Sequence, residues 1–364
     1  MEKVLIFGTG RGAQKFYSLI GDETFTIIGF LDNNRSKWNT DFKGYNIYSP
    51  YMLIDLKFDK IIICSVAYTE IRNQLISNYG IPEIKIENNL YYHKKNLLEF
   101  YKNKKNLTVE IQEALSNIEK RTLEAINYDF VDKYKKMNIE VFKDNCVDLF
   151  YVYYENKKMY MKRSFDTVEK VRWYCSYIFL EQAVESPHRY LDDNFNVSEH
   201  DVVIDVGAAE GNFAISIIDK VNKLYLAEVD PEWIEALQYT FAPYKNKVFY
   251  INKFVTDKVN DTCTTIDEIL KETQINFIKM DIEGEEIKAL KGAEYSLMNR
   301  NMKLAICAYH NENDENGIKN ICSKFGYDFT SPKGYMVFIT ENERESRTEP
   351  IKLVRGILRG VKNV

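Results

Sequence analysis

The sequence predicts an α/β protein with a doubly wound parallel sheet in its C-terminal half. A small βαβ sheet at the N-terminus and a helix-and-hairpin connector complete the predicted fold. Short apolar, β-rich runs alternate with helical spacings over residues 1–100 and again over residues 201–340. A glycine-rich loop follows the first apolar run of each region. An acidic residue, Asp32 or Glu228, ends the second run of each region.

The composition limits the class of protein. The 364 residues suggest roughly two or three domains, and a hydrophobic fraction of 45% is enough for sizeable cores. The 49 basic and 54 acidic residues give a net charge of −5, so nothing points to nucleic acid. No apolar run reaches the ~18 residues of a membrane span, and the start MEKVLIFGTG lacks the long apolar stretch of a secretory signal. Six scattered cysteines without a C-x-x-C predict neither a disulfide scaffold nor structural zinc, so we expect a soluble, cytoplasmic protein.

Residues 1–100 are predicted to form a first domain. Its predicted strands are VLIF (4–7), TIIGFL (26–31) and KIIICSV (60–66). The stretches RGAQKFYSLI and TEIRNQLISNYG between them have helical spacing. The Lys- and Asn-rich stretch 93–106 is predicted to be the boundary of this domain.

Residues 101–186 are predicted to form a connector that packs on a neighbouring domain. Apolar residues keep helical spacing near 107–127, which predicts an amphipathic helix. Two β-prone halves of VDLFYVYYENKKMYMKRSF flank Glu155-Asn156-Lys157 and predict a hairpin. A second helix is predicted over about 166–186, ending near a proline.

The region 201–340 has the alternation of a doubly wound sheet. Its predicted strands are DVVIDVG (201–207), KLYLAEV (223–229), KVFYINKFV (247–255), INFIKMDI (275–282), MKLAICAYH (302–310) and GYMVFIT (334–340).

The end of the chain is predicted to be a separate tail, residues 346–364. Its last part, 351–364, has four basic residues, no acidic residue and apolar residues at helical spacing. These features predict a short basic amphipathic helix. Docking of this helix on a neighbouring domain is favoured over contact with an anionic membrane surface, because two glycines weaken it.

The second glycine-rich loop differs from a dinucleotide site. It reads Asp205-x-Gly207-Ala208-x-x-Gly211-Asn212, and Glu228 ends the next strand. A carboxylate at that point can accept ribose hydroxyls. An aspartate would repel a pyrophosphate but suits a cationic or amino-acid ligand. S-adenosylmethionine carries a sulfonium, an amino group and a ribose, so it is a suitable ligand for both Asp205 and Glu228. The alternative is that the loop is a purely structural strand-to-helix turn.

The motifs of this region resemble those of FkbM-type methyltransferases. The resemblance rests on VVIDVGAAEGNFA, LAEVDPE, TTIDEIL (264–270) and KMDIEGEE (279–286), and it covers roughly residues 187–340. It implies an S-adenosylmethionine-dependent O-methyltransferase domain, placed at 187–345, with strand order 3-2-1-4-5-7-6 and an acceptor that is usually a sugar or a small metabolite. The residues that it implies for the cofactor are Asp205, Gly207, Ala208, Gly211, Glu228 and, after the fourth strand, Asp281. Asn212 of the same loop is also predicted to bind the cofactor.

Methyl transfer to a hydroxyl needs the acceptor oxygen about 3 Å from the methyl group, with a base or a metal to assist it. Asp281 and Glu283 follow the predicted fourth strand and His310 ends the fifth, so the three side chains should converge over the cofactor. His310 is the expected base because its ordinary pKa is near neutrality. Asp281 and Glu283 are expected to orient the acceptor or to hold a divalent cation. His188 lies in a segment, 186–190, that could form a lid. The alternative for His310 is a hydrogen bond to a loop. Asp281 and Glu283 could instead cap the following helix, and segment 186–190 could be a surface linker.

The first glycine-rich loop has the G-x-G-x-x-A form of a dinucleotide fingerprint. Gly8, Gly10 and Ala13 follow VLIF, and Asp32 ends the next strand. The stretches IFGTGRGAQKF and IIGFLDNN, within residues 1–90, resemble the small N-terminal domains of bacterial sugar acyltransferases. The resemblance implies recognition of a nucleotide-sugar or nucleotide rather than hydride transfer. The alternative is a degenerate domain that serves packing or assembly of a homo-oligomer.

These features together predict an S-adenosylmethionine-dependent O-methyltransferase that acts on a carbohydrate hydroxyl of a nucleotide-sugar or a surface glycan. One alternative is a bifunctional enzyme with separate N-terminal chemistry, although the sequence near Asp32 shows no Tyr-x-x-x-Lys. Another alternative is a non-catalytic nucleotide-binding scaffold or sensor. The acceptor, the need for a metal and the oligomeric state stay open.

Overall fold

The computed structural model describes residues 1–339 and 350–362, apart from the side chains at 21–24. The chain divides into two compact units. The first comprises residues 1–127 with 337–352, and the second comprises residues 128–336 with the end of the chain from residue 353. The predicted boundary at 345/346 lies outside the described residues.

The first unit is a Rossmann-like α/β sheet. Its elements are β1 (Lys3–Phe7), α1 (Arg11–Thr24), β2 (Thr26–Leu31), β3 (Asp41–Phe42), β4 (Tyr45–Tyr48), β5 (Lys60–Ile63), α2 (Tyr68–Tyr79), β6 (Ile86–Asn88), α3 (Tyr91–Lys102) and α4 (Val109–Lys120). The strand order is β3-β4-β2-β1-β5-β6, and every neighbouring pair is parallel except β3 with β4. The three strands predicted in this region are confirmed.

The central strand β1 is buried on both faces, as its unbroken apolar run requires. Val4 and Ile6 pack into one hydrophobic cluster, and Leu5 and Phe7 pack into another. Successive side chains of a strand point to opposite faces, so the two clusters lie on opposite sides of the sheet.

The predicted boundary stretch 93–106 is corrected by the structure. Most of it belongs to α3, whose residues His93, Lys94 and Leu97 are buried. Lys94 donates to the carbonyl of Arg121 and lies 3.7 Å from the Glu87 carboxylate, so its charge is paired inside the unit. Lysine and asparagine content therefore misled the prediction, because a long lysine side chain can be buried along its stem when its ammonium finds partners.

The second unit contains the predicted hairpin, the second predicted connector helix and the larger sheet. Its elements are α5 (Val131–Lys135), β7 (Phe142–Asp144), β8 (Leu149–Tyr154), β9 (Lys157–Tyr160), α6 (Val168–Glu181), β10 (Val202–Val206), α7 (Asn212–Ile217), β11 (Lys223–Ala227), α8 (Pro231–Thr240), β12 (Val248–Ile251), β13 (Phe254–Val255), β14 (Cys263–Thr264), α9 (Ile266–Leu270), β15 (Phe277–Met280), α10 (Glu286–Lys291), α11 (Glu294–Asn299), β16 (Lys303–Cys307), α12 (Asp314–Ser323), β17 (Tyr327–Thr330) and β18 (Ile357–Lys362).

The large sheet has the strand order β12-β11-β10-β15-β16-β18-β17. Counted along the chain, this is 3-2-1-4-5-7-6, as the resemblance implied. The strands are parallel except β18, which runs antiparallel to both β16 and β17. The order reverses direction between β10 and β15, and a doubly wound sheet binds its ligands at the carboxyl ends of the strands at such a point.

The connector prediction is confirmed in its elements. The hairpin of β8 and β9 turns at Glu155 and Asn156, which both have positive φ. Val152 of the hairpin and Val171 of α6 are fully buried, and they belong to the same hydrophobic cluster as Val203 of β10. The hairpin and α6 therefore belong to the core of the second unit, whereas α4, the first predicted helix of the connector, lies in the first unit.

The prediction of a helical tail is wrong. Residues 357–362 form β18, which lies inside the sheet between β16 and β17. Four successive residues, 357–360, are buried, which fits a strand covered on both faces rather than one face of a helix. At Gly360 a Cβ would lie 2.6 Å from the Phe329 ring, and at Gly356 it would lie 2.5 Å from the Pro187 carbonyl, so the two glycines permit close packing.

The predicted strand 334–340 is also wrong over its described residues. Only Met336 pairs there, in an isolated antiparallel bridge with Val354, while the sixth strand of the sheet is β17. Within residues 1–339 and 350–362, no helix combines the length and the apolar character that crossing a bilayer requires.

Candidate active site

A cavity of about 750 Å³ lies at the carboxyl ends of β10, β11 and β15. This volume is in the range of small-molecule sites. The walls come from the loops after these strands, from the chain around β13 and from the start of α10. The lining residues used below are Gly207, Ala209, Glu228, Asp281, Glu283 and Glu285.

Glu228 is held in place by the backbone around it. One carboxylate oxygen, Oε1, accepts from the amides of Val229 at 2.7 Å and Asp230 at 2.9 Å. The other, Oε2, accepts from the amide of Ala209 at 2.9 Å. The carboxylate therefore joins the glycine-rich loop to the end of β11 and faces the cavity, where the sequence analysis expected a ribose acceptor.

The glycine-rich loop makes its turn through positive backbone angles. Gly207 has φ +77°, and a Cβ there would lie 1.8 Å from the Asp281 carbonyl oxygen. Ala209 has φ +44°, which is unusual for a residue with a side chain. The loop thus passes directly against the end of β15, and only glycine fits at position 207.

Asp205 lies beneath the cavity rather than on its wall. Its side chain is fully buried, and its Oδ1 lies 2.8 Å from Nζ of Lys279, the residue opposite it on β15. Burial, opposed by the Lys279 charge, raises the pKa of Asp205 to about 6. The same ammonium donates to the carbonyl of Gly207 at 2.7 Å, so this ion pair holds the glycine-rich loop against β15.

The remaining predicted loop residues also shape the turn. The amide of Gly211 donates to the carbonyl of Ala208 at 2.8 Å, and Gly211, with φ +82°, leads into α7. Ala208 and Asn212 are buried. Of the predicted cofactor residues, the structure brings Gly207, Glu228 and Asp281 to the cavity wall.

Asp281 stands at the end of β15, where the cavity meets a group of polar side chains. Its Oδ2 accepts from the Tyr190 hydroxyl at 2.7 Å. Burial alone would raise the pKa of Asp281, but the charges of Lys279 and His310 outweigh it and hold that pKa below its ordinary value. Asp281 is therefore an anion at neutral pH.

Asp281, Glu283, Glu286 and His310 form what we name the carboxylate–histidine cluster. Nδ1 of His310 lies 3.1 Å from Oε1 of Glu286, which also accepts from the amide of Ile282 at 2.9 Å. Nε2 of His310 lies 3.4 Å from Oδ1 of Asp281 and 3.7 Å from Oε2 of Glu283. The imidazole is therefore oriented by one buried carboxylate and aimed at two others.

The electrostatics oppose the predicted role of His310 as a base. Although burial acts against it, the bond to Glu286 and the charges of Asp281 and Glu286 raise the pKa of His310 to about 9. At neutral pH both ring nitrogens then carry protons, and an imidazolium accepts no proton. His310 lies beside Asp281 and Glu283, and at neutral pH it is in the acidic form.

His188 is buried rather than part of a surface lid or linker. It is 1% exposed, and its Nε2 lies 3.1 Å from the Tyr309 hydroxyl. Burial lowers the pKa of His188 to about 4, so the ring is neutral at physiological pH. Ser186 caps the turn by accepting from the His188 amide at 3.1 Å. The segment packs into the floor of the site and supports Tyr309 and Tyr190.

Three charged residues at this site, Lys279, Glu286 and Glu181, were not predicted from the sequence. Lys279 and Glu286 lie in the KMDIEGEE motif, but no role was predicted for them. Four of the six residues 281–286 are acidic, and so dense a group of acids indicates that some of them are buried beside a positively charged side chain. Glu181 ends α6, and burial, together with the charge of Asp281, raises its pKa to about 8. No pattern in the sequence distinguishes Glu181 from an ordinary helix-ending residue.

The N-terminal loop lines a separate cavity of about 700 Å³ in the first unit. Gly8, Gly10 and Asp32 lie on its wall, while Ala13 is buried in the core behind it. Asp32 accepts from the Thr9 hydroxyl and from Nζ of Lys37 at 3.0 Å. Its carboxylate is thus held on the cavity wall by two neighbouring side chains.

Two family models match the chain. Residues 161–338 match the methyltransferase FkbM domain, and residues 1–87 match the C2185-like N-terminal domain. The first match includes α6, which the sequence analysis assigned to the connector. A search of curated proteins finds no match to this chain.

Solved structures similar to this chain include a methyltransferase FkbM from Methylobacillus flagellatus KT. It is 17% identical with a TM-score of 0.46, and the alignment covers 99% of this chain and 90% of that chain. Magnesium protoporphyrin IX methyltransferase from Synechocystis PCC 6803, with bound S-adenosylmethionine, is 14% identical with a TM-score of 0.34, covering 56% and 95%. Precorrin-6y C5,15-methyltransferase from Geobacter metallireducens GS-15 is 9% identical with a TM-score of 0.32, covering 46% and 84%.

The domain match confirms the predicted methyltransferase class, and with it S-adenosylmethionine as the expected methyl donor. The chain carries a methyltransferase FkbM domain at residues 161–338, preceded by a C2185-like domain at residues 1–87.

Proposed function

We propose that the second unit transfers the methyl group of S-adenosylmethionine to a hydroxyl of a carbohydrate. The observation that carries this proposal is the single cavity that has Glu228 on one wall and Asp281 with Glu283 on another. Glu228 is placed to accept from the ribose of the donor. The two further acids stand where an acceptor with several hydroxyls would meet the methyl group.

In the proposed reaction the acceptor oxygen forms a C–O bond while the C–S bond of the donor breaks. The sulfonium becomes a neutral thioether, and the acceptor hydroxyl releases its proton to water. Asp281 is the group suited to orient that hydroxyl, because it is an anion at neutral pH with one oxygen fixed by Tyr190 and the other facing the cluster. Holding the two reactants in line supplies much of the expected acceleration.

The test uses S-adenosylmethionine with an isotopically heavy methyl group. The full chain is incubated with nucleotide-sugar and glycan extracts of cells that carry it, with and without a divalent cation, and mass spectrometry locates the label. Heavy methyl on a carbohydrate oxygen supports the proposal. Heavy methyl on a nitrogen, a carbon or another class of molecule contradicts it, as does absence of donor binding.

We propose, secondly, that the first unit binds a nucleotide or a nucleotide-sugar. The supporting observation is the 700 Å³ cavity, lined by Gly8 and Gly10 at the start of α1 and by Asp32. The test is calorimetric titration of the full chain with UDP-glucose and with NAD. Binding that Asp32→Asn abolishes and Glu228→Gln leaves intact supports a site in this unit; absence of heat with both ligands contradicts it.

A further inference from the structure

The last residue of α6, Glu181, has a carboxyl group that the proposed function does not yet use. Its side chain is partly buried. Among residues 1–339 and 350–362, no donor lies within hydrogen-bond distance of its carboxyl oxygens. Polar groups inside a protein are normally paired, so a carboxyl group without a partner beside a cavity indicates a role in function.

Hydrogen bonds of the next residue fix the end of α6 beside the site. The side chain of Gln182 donates to the carbonyl of His188 at 3.4 Å and accepts from the amide of Tyr190 at 3.3 Å. The hydroxyl of Tyr190 in turn donates to Asp281 at 2.7 Å. The position of Glu181 is therefore tied to the cavity wall that carries Asp281.

The charged groups that act on Glu181 come from β15, from the turn after it and from the glycine-rich loop. Lys279 belongs to β15, Asp281 and Glu283 belong to the turn, and Glu210 belongs to the loop. The acids outnumber the lysine, and burial and the charge of Asp281 raise the pKa of Glu181 to about 8. A carboxyl group in this setting keeps its proton at neutral pH until a positive charge comes close.

His310, Asp281 and two tyrosines at this point are poor proton acceptors. His310 is already protonated at neutral pH, and the low pKa of Asp281 makes it a weak base. Burial raises the pKa values of Tyr190 and Tyr309 well above the ordinary value, so both keep their protons. A general base works best when its pKa is near the working pH, and Glu181 meets that condition.

We propose that Glu181 is the proton acceptor of the methyl transfer. As a carboxylate, it takes the proton of the acceptor hydroxyl while the C–O bond forms and the C–S bond of the donor breaks. The sulfur loses its positive charge in the same step in which Glu181 loses its negative charge, so the net charge of the site does not change. Glu181 then passes the proton to water. This inference rests on the proposed function, because it names the residue that receives the proton there.

Proton release on donor binding tests the inference without an acceptor. Calorimetric titration of the full chain at neutral pH, in two buffers of different ionisation enthalpy, counts the protons released. S-adenosylmethionine should release about one proton more than S-adenosylhomocysteine, which lacks the positive charge at sulfur, because that charge turns Glu181 into a carboxylate. Below the pKa of Glu181, the ratio of the two affinities should change by up to about tenfold per pH unit in favour of S-adenosylmethionine as the pH rises.

Two variants assign the proton to its residue. Glu181→Gln should still bind S-adenosylhomocysteine, which shows that it is folded, and should lose the extra proton. Glu185→Gln is the matched control, because Glu185 is an exposed acid that follows the same helix, and it should keep the extra proton. Equal proton release with both ligands in the wild type, or the extra proton persisting in Glu181→Gln, would overturn the inference.

The rate of heavy-methyl transfer to the glycan extracts is a second readout. Glu181→Gln should lower it by about 10²–10⁴-fold, the usual contribution of a general base. In the wild type, kcat/KM for the donor should rise with pH up to about 8, and this rise should be absent from Glu181→Gln. A rate of the variant within about tenfold of the wild type would also overturn the inference.

The binding data separate this inference from the proposed function. A chain that binds both ligands with the same proton release contradicts the role of Glu181 alone. A chain that binds neither ligand contradicts the proposed methyl transfer, and the inference with it.

Discussion

Replacement of Glu228 by glutamine should weaken the binding of S-adenosylhomocysteine, the demethylated product of the donor, by about 10–150-fold. A carboxylate offers about four lone-pair positions. Three are taken, two on Oε1 by the amides of Val229 and Asp230 and one on Oε2 by the amide of Ala209. One position on Oε2 stays open to a ribose hydroxyl.

The expected loss of affinity follows from the one hydrogen bond that the open position on Oε2 can accept. A hydrogen bond to a charged group contributes about 1.5–3 kcal/mol, and each 1.4 kcal/mol is tenfold in affinity. Glutamine keeps the size of the side chain but replaces one oxygen by an NH₂ group. That group must face a backbone amide that is itself a donor, so the loop around Ala209 loses an acceptor as well.

Isothermal titration calorimetry on the full chain measures this effect. Glu235→Gln is the control, because it removes the same charge from the neighbouring α8, where Glu235 pairs with Arg163 outside the cavity. The control should bind like the wild type. An affinity of Glu228→Gln within threefold of the wild type, with an unchanged melting temperature, would refute the assignment of Glu228 to the ribose.

Three further predictions concern the loop and the buried charges. Gly207→Ala should abolish S-adenosylhomocysteine binding and lower the melting temperature, because its Cβ would lie 1.8 Å from the Asp281 carbonyl; calorimetry and thermal denaturation test both effects. Lys279→Met should destabilise the second unit by about 3–5 kcal/mol, because Asp205 is left buried without its partner, and adding Asp205→Asn should recover part of the loss in urea denaturation. Burial lowers the pKa of His188 from 6.5 to about 4, so between these pH values the unfolded chain binds a proton that the folded chain does not. The free energy of unfolding should therefore fall by up to about 3 kcal/mol as the pH drops from 6.5 to about 4. His188→Gln should remove that part of the pH dependence.

The sequence predicts those features whose cause is local. Gly207 and Glu228 were identified because a tight strand-to-helix turn needs glycine and because the next strand ends a fixed distance further on. The strands β1 and β10 were identified because a strand covered on both faces is apolar throughout. In each case the physical requirement acts within a few residues of the position that shows it.

Features that depend on strand register were not predictable in this way. The tail 351–364 has apolar residues at helical spacing, yet it is drawn into the sheet as β18, where β16 and β17 supply its hydrogen bonds. A short segment can satisfy both patterns, and only the free strand edges beside it decide between them. The buried segment 186–190 shows the same limit, since its neighbours β16 and β18 are distant in sequence.

The buried ion pair with Lys279 indicates a structural role for Asp205, whereas its position at the end of β10 had predicted contact with the cofactor. Asp205 and Lys279 are direct neighbours across β10 and β15, and the lysine also holds the carbonyl of Gly207. A charge removed from water is costly unless it is paired, so this pair fixes the register of two strands and the path of the loop between them. The backbone that results brings the Glu228 carboxylate to one wall of the cavity and the Asp281 carboxylate to the other. In the proposed function, Asp205 therefore supports ligand binding through the loop that it positions, and Glu228 is the residue expected to contact the ligand.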